Sequence, residues 1–293
     1  MKPEAIAARV WPGRGLDLEP LGGGITNHNF RVLLEGGEAY VLRIGGKDTE
    51  FLGIDRTVEH GASVVAARLG VGPEVAGFLE PEGYLVTRFL DGDPIPPEEM
   101  RTPARIRQVG PILRRIHDGR PIPGRFDSFR IVEAYRATAE EYGVRIPAAF
   151  HVAKDRADEI ERARGSQPLQ PCHNDLLNAN FIDDGTTVRI VDWEYAGMGD
   201  VFFDLANFSI NHEFSEQEND ALLDAYFGAA KAADVAALRL MRFMSDFREA
   251  MWGVVQQGIS ELDFDFEAYA SEHFERLERT AAHPGFRDAL GAV

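Results

Sequence analysis

Short alternating apolar runs in the first ninety or so residues, helical periodicity in most of the remainder, and a turn-rich break between the two predict an α+β chain in two lobes. A small strand-rich lobe is expected over residues 1–90 and a larger, mainly helical lobe over 91–293, with a ligand cleft where they meet. Leu18 to Leu21, Asn29 to Leu34 and Ala39 to Ile44 read as strands, with Glu35-Gly36-Gly37-Glu38 turning the second into the third. A single helix follows in this lobe. Asp55 is its N-cap, Val58, Ala62, Val65, Ala66 and Leu69 form its apolar face, and Gly70 and Pro73 stop it. Two further strands are expected at Glu74 to Leu79 and Tyr84 to Phe89, and Asp91-Gly92-Asp93-Pro94-Ile95-Pro96-Pro97 is a turn-rich connection. The helical pattern beyond it is broken by a polar loop and a hairpin, with Ala179 to Ile182 and Val188 to Val191 joined through Asp183-Asp184-Gly185. No internal repeat or low-complexity segment is present.

Composition narrows the function. With 293 residues the chain can bury a sizeable core. Acidic residues outnumber basic ones by 48 to 31, for a net charge of -17, which disfavours nucleic acid and anionic membrane and favours cationic ligands. The single Cys172 excludes an intrachain disulfide and a cysteine-based zinc cluster, and it reads as a small buried hydrophobe. The run Ala5-Ile6-Ala7-Ala8 is too short for a signal segment, and no window approaches the ~18 apolar residues of a membrane span. The expectation is a cytoplasmic enzyme without membrane insertion.

The chemistry concentrates in His173-Asn174-Asp175-Leu176-Leu177-Asn178-Ala179-Asn180 and in Val191-Asp192-Trp193-Glu194. Mg²⁺ takes hard oxygen donors and is commonly held by one or two protein groups plus substrate phosphates, a role that suits Asn180 and Asp192. The hairpin carries these two close together. Asp175 is then free to orient a hydroxyl and take its proton, so the set suits phosphoryl transfer. The competing reading is a plain Asn/Asp-stabilised turn.

In the first lobe, Gly22-Gly23-Gly24-Ile25-Thr26-Asn27 lies between two predicted strands. Gly23, Gly24, Thr26 and Asn27 are suited to bringing backbone N–H groups to phosphate oxygens, although the same residues make an ordinary hairpin turn. No Walker A loop is formed, because Gly46-Lys47 is followed by Asp48, and a strand after the glycines excludes a Rossmann fingerprint. Arg43 is flanked by apolar residues on the third strand and can supply a permanent charge for phosphates, with Glu59 as its ion-pair partner. The alternative places Arg43 and Glu59 on solvated faces.

These motifs, spread over nearly the whole chain, resemble the choline and ethanolamine kinases, within the aminoglycoside-phosphotransferase-like small-molecule kinases. The resemblance includes Gly23-Gly24-Ile25-Thr26-Asn27, Val41-Leu42-Arg43 with Glu59, and the hinge Val86-Thr87-Arg88-Phe89. It continues through His173, Asp175 and Asn180, Asp192-Trp193-Glu194-Tyr195, Gly199-Asp200, Asp204-Leu205-Ala206 and Trp252 to Ser260 with Asp263-Phe264-Asp265-Phe266. It implies a bilobal protein-kinase-like fold, ATP and Mg²⁺ as cofactors, and transfer of phosphate to the hydroxyl of a small cationic amino alcohol, choline or ethanolamine. Thr87 and Phe89 would line the nucleotide, and Glu194, Tyr195 and Trp252 would hold the ammonium group. A homodimer is left open. Glu249 and Leu277 stand where aromatics are expected, and Trp193 where Phe is usual, so the cation site is expected to be less aromatic and more acidic, with Glu249 contributing to it. Kinases of thiamine or an aminoglycoside, and a non-catalytic ligand-binding protein of the same fold, are the alternatives. By helical spacing alone, Trp252 with Phe247, Met251 and Val255 also fits a core stripe, and Asp246 and Glu249 a solvated face.

Overall fold

The computed structural model describes residues 2–22 and 26–293. In chain order the helices are α1 (Pro3–Val10), α2 (Arg56–Arg68), α3 (Pro97–Met100), α4 (Pro103–His117), α5 (Ser128–Glu141), α6 (Ala149–Arg164), α7 (Val201–Asn211), α8 (Glu216–Phe227), α9 (Ala232–Ile259), α10 (Phe266–Ala282) and α11 (Gly285–Leu290). The strands are β1 (Leu16–Leu21), β2 (Asn27–Leu34), β3 (Ala39–Gly45), β4 (Val75–Leu79), β5 (Tyr84–Arg88), β6 (Asp93–Pro94), β7 (Gln170–Cys172), β8 (Phe181–Asp183), β9 (Val188–Ile190) and β10 (Gly197–Gly199). The first five strands form an antiparallel sheet in the order β1-β2-β3-β5-β4, followed by a mostly helical part, which is the kinase-like α+β arrangement expected.

Local chemistry sets these elements. Gly36 and Gly37 both have positive φ, so they close the β2–β3 turn, where Leu34 and Glu38 resume the ladder at 2.9 Å. The Asp55 carboxylate accepts the amides of Thr57 and Val58 at the start of α2, two of the donors a helix N-terminus otherwise leaves unpaired.

Two features depart from the sequence reading. The first lobe holds a second helix, α1, whose Ile6 and Ala7 pack against Val32, Leu34, Leu42 and Val86 under the sheet. Eight residues with two buried positions are too few to display a period, and such a short helix is held by packing rather than propensity. The Asp91–Pro97 connection is not simply turns. Its β6 pairs antiparallel with β8, so the link between the lobes is laid against the hairpin that carries Asn180.

The core of the second lobe surrounds α9, which is buried on nearly every side from Ala236 to Gln256. Asp246 and Glu249 are therefore inside the protein, not on a solvated face, and Leu277 is a core residue. From α2, Ala62 and Ala66 belong to this same core cluster, which also holds Leu176 and so fixes the helix carrying Glu59 relative to the loop after β7. Among the described residues no helix is long and apolar enough to cross a membrane.

Candidate active site

The loop after β7 has no ladder partners of its own, so its buried amides need side-chain acceptors. Helix α7 provides them. Asp204 accepts the backbone N–H of His173 at 2.7 Å and of Asn174 at 2.5 Å, and Asn207, three residues on, accepts that of Leu176 at 2.5 Å. His117 at the end of α4 meets Asp204 at 3.0 Å and the Tyr226 hydroxyl at 2.7 Å. His117, Cys172 and Asp204 lie close enough together to hold a metal. The oxygens of Asp204 are already engaged by backbone amides and imidazole, which makes the group a clamp on the loop.

His173 closes the loop from the other side. Its Nε2 donates to the Val191 carbonyl at 3.0 Å while its Nδ1 accepts the amide of Asp175 at 3.2 Å, and burial lowers its pKa, so the ring is neutral. Trp193 packs edge-on against it at 4.7 Å between ring centres and donates to the Ile190 carbonyl at 3.0 Å. Asp175 is thus held at its backbone, with its side chain left to act.

Asn180 and Asp192 are brought together by the hairpin, as their strands imply. The Val191 amide donates to the Asn180 carbonyl at 3.0 Å, and Asn180 Nδ2 donates to the Asp175 carbonyl at 2.9 Å. Its Oδ1 has no protein partner among the described residues. Asp192 has φ of 67°, a left-handed conformation that Asp tolerates better than most residues and that turns the chain sharply at the strand end. Arg43 donates to Asp192 at 2.5 Å and to Glu59 at 2.8 Å. Burial raises the Asp192 pKa, but the neighbouring Arg43 charge more than offsets this and holds it below the ordinary carboxylate range. An amide oxygen and an ionised carboxylate, both hard donors on one wall, fit Mg²⁺.

A cavity of about 500 Å³ opens between the sheet and this hairpin. Arg43, Glu59, Thr87, Phe89, Asn180 and Asp192 all line it. Gly23 and Gly24 lie outside the described residues. Thr26 and Asn27 do not line this cavity. The Thr26 carbonyl accepts the Gly46 amide at 3.1 Å, and the buried Asn27 side chain donates to Glu194 at 2.8 Å.

On the far side of Asp175 the expected residues meet others that the sequence did not reveal. Tyr195 accepts a hydrogen bond from Trp252 Nε1 at 3.0 Å, and Trp252 packs edge-on against Tyr269 and Phe266. Arg248 lies 4.3 Å over the Tyr195 ring, approaches Asp175 at 3.4 Å and pairs with Glu249. The second oxygen of Glu249 accepts the Tyr269 hydroxyl at 2.9 Å, so this carboxylate is committed within the protein. Glu194 is engaged as well, by Arg56 at 3.1 Å in addition to Asn27. Arg56 also binds Glu59 at 2.7 Å, so a continuous chain Arg43–Glu59–Arg56–Glu194 joins the sheet lobe to the helical lobe.

Burial sets the protonation of two further acidic groups, Asp175 and Glu194. It pushes the pKa of Asp175 up to about 8 against the pull of Arg248, with Glu249, Asp192 and Glu194 adding to the rise. The Glu194 carboxyl is pushed up to about 7, again first by burial and then by Asp192.

The shared geometry of Arg43 and Glu59 predicts coupled losses. Each alanine substitution should weaken nucleotide binding, Glu59→Ala through disorder of Arg43 and Arg56. A double-mutant cycle on nucleotide affinity is expected to show sub-additivity of about 0.5–3 kcal/mol. Fully additive losses would show that the two residues act apart.

Residues 17–242 match the phosphotransferase enzyme family. The protein LicA of Haemophilus influenzae is 30% identical over 216 residues, which are 70% of this chain and 61% of that protein. Human ethanolamine kinase 1 is 25% identical over 310 residues, covering 91% of this chain and 68% of that one. A crystal structure of a choline/ethanolamine kinase family protein from Mesorhizobium loti superimposes with a TM-score of 0.84 at 33% identity, covering 99% of this chain and 97% of that one. The chain belongs to the phosphotransferase enzyme family, within its choline/ethanolamine kinase group.

Proposed function

We propose that this protein transfers the γ-phosphoryl group of ATP to the hydroxyl of a small amino alcohol. The observation that carries this reading is the place of Asp175: its carbonyl accepts from Asn180, which with Asp192 and Arg43 walls a cavity of about 500 Å³, and its carboxylate meets Arg248, which lies over Tyr195 of the Tyr195–Trp252–Tyr269 aromatic group. ATP in that cavity would set its adenine among Val41, Leu85, Thr87 and Phe89 and its phosphates toward Arg43. Asn180 and Asp192 would hold Mg²⁺, which when bound neutralises charge on the phosphate oxygens. Asp175 would orient the acceptor hydroxyl and take its proton as the new O–P bond forms and the bond from the γ-phosphorus to the bridging oxygen breaks, leaving ADP.

The charges around the site favour a cationic acceptor. Asp175, Asp192, Glu59, Glu194 and Glu249 outnumber Arg43, Arg56 and Arg248; burial raises the pKa of Asp175 and Glu194, and a bound metal and ammonium group would draw both into the carboxylate form. Relatives include proteins called choline kinase and ethanolamine kinase, which supports an amino alcohol of that size. A quaternary ammonium is held best by open aromatic faces, whereas a primary one also needs oxygen acceptors. Arg248 already covers a face of Tyr195, and the Tyr269 oxygen, held by Glu249, stands beside Trp252 as the acceptor that remains. Less methylated amines are therefore expected to be preferred over choline.

The test is ADP release with choline, ethanolamine and its mono- and dimethyl forms, thiamine and an aminoglycoside, compared by kcat/KM. Ethanolamine or its monomethyl form should lead in the wild type, and Glu249→Trp should move the ranking toward choline. A strong wild-type preference for choline, unchanged by the substitution, removes Glu249 from the specificity argument. No turnover with any amino alcohol overturns the function.

A further inference from the structure

A second cavity, of about 400 Å³, lies in the helical lobe among the ends of α7, α8, α9 and α10, separate from the catalytic groups. In a chain of net charge -17, four guanidinium groups line it, Arg239, Arg242, Arg276 and Arg279, against two carboxylates, Glu213 and Glu216. Three of them have acidic partners. Arg239 binds Glu216 at 2.6 Å, Arg276 binds Asp246 at 2.6 Å, and Arg279 reaches Glu275 at 4.0 Å.

Arg242 is different. It projects from the middle of α9, and its hydrogen bonds go to neutral oxygens, Ser209 Oγ and Asn219 Oδ1, the latter at 3.2 Å. No carboxylate lies within ion-pair distance of it among the described residues. Burial depresses its pKa; Asp246 and Glu216 oppose the fall, and the nearby Arg276 and Arg239 add to it, an unusual direction for arginine. A guanidinium that is largely desolvated, short of countercharge and crowded by like charges is a group that a bound anion would relieve. Beside it the wall is apolar, with Ile210, Phe214, Val235 and Leu238.

We infer that this cavity binds a small organic phosphate, with the phosphoryl oxygens on Arg242 and Arg276 and the organic body against the Ile210–Leu238 wall. Arginine is the residue suited to this, because its planar fork matches phosphate oxygens in pairs. The site is distinct from the phosphates of the nucleotide, which belong with Arg43, and it does not depend on the identity of the acceptor alcohol.

The experiment measures binding of phenyl phosphate and of inorganic phosphate by calorimetry, with ADP and Mg²⁺ saturating the nucleotide cleft. Wild type, Arg242→Gln and Arg239→Gln are compared. Phenyl phosphate should bind the wild type more tightly than inorganic phosphate and raise its melting temperature. Arg242→Gln should weaken binding by roughly tenfold or more, the loss of one charge-assisted contact, with kcat for ATP turnover unchanged. Without ligand, this variant should melt at or above the wild-type temperature, since it removes a crowded charge. Equal affinities in all three proteins, or the same stabilisation from sodium chloride at matched ionic strength, overturn the proposal. Inorganic phosphate binding as tightly as phenyl phosphate overturns the organic-phosphate assignment. An Arg242→Gln protein that melts lower yet binds phenyl phosphate normally marks Arg242 as a structural residue and overturns it too.

Discussion

Asp175→Asn is expected to lower kcat by about 10²- to 10⁴-fold, roughly 3 to 5 kcal/mol of barrier, with ATP affinity close to that of the wild type. Asparagine keeps the shape of the side chain and the loop that Asp204, Asn207 and His173 hold by its backbone. What it cannot do is accept a proton. Arg248 keeps Glu249 as a partner, so the substitution leaves no wholly unpaired buried charge. The pH dependence gives a second reading. A base must be deprotonated to work, and the Asp175 pKa is about 8 without bound cations, so kcat/KM should rise with pH toward that value. A bound divalent cation favours the carboxylate and moves the rise to lower pH. In the asparagine variant this limb should vanish. A variant within a few-fold of wild-type kcat, or one that keeps the same alkaline rise, would falsify the role of Asp175.

Much of this arrangement was legible in the sequence because it is local. The strands of the first lobe, the turn at Gly36-Gly37, the Asp55 cap and the Asp183-Asp184-Gly185 hairpin each depend on neighbours a few residues away. The pairing of Arg43 with Glu59 was inferable because a buried cation on a strand needs an acid. What stayed hidden depends on long-range partners. Arg56 looks like any polar residue in the first turn of a helix, and only the fold brings it to Glu194. Arg248 adjoins Glu249 in sequence, a pair that reads as surface charge, and nothing local shows that α9 is buried on that side or that Asp175 and Tyr195 meet it there. Asn207 left a fainter signal: with Asp204 it places two polar residues three apart on a helix that is otherwise apolar up to Phe208, the mark of side chains serving buried backbone. The same burial explains why Glu249 has its carboxylate turned to Arg248 and Tyr269 when spacing suggested a free acid.

Asp192→Asn is expected to be about as damaging as the loss of the base, with kcat/KM down by roughly 10³-fold, because two functions fail at once. The carboxylate is the charged member of the proposed metal pair, and Asn180 alone offers a neutral amide oxygen. It is also a counterion of Arg43, which in the variant keeps only Glu59. Glu59 is itself shared with Arg56, which also has Glu194, so Arg43 is left with a single partner that it does not hold alone. Nucleotide affinity should accordingly change less than turnover: the excess positive charge attracts phosphate while the metal that aligns it is held poorly. Asn180→Ala separates the terms. It removes a neutral ligand and the bond to the Asp175 carbonyl but leaves Arg43 paired, so its loss should be smaller and raised Mg²⁺ should partly restore it. Raised Mg²⁺ should restore Asp192→Asn far less. Turnover against Mg²⁺ concentration for both variants decides the point: equal losses, equally restored, would mean that charge at Asp192 is not what holds the metal, and a structure with nucleotide and Mg²⁺ that placed the ion away from both side chains would remove the assignment altogether.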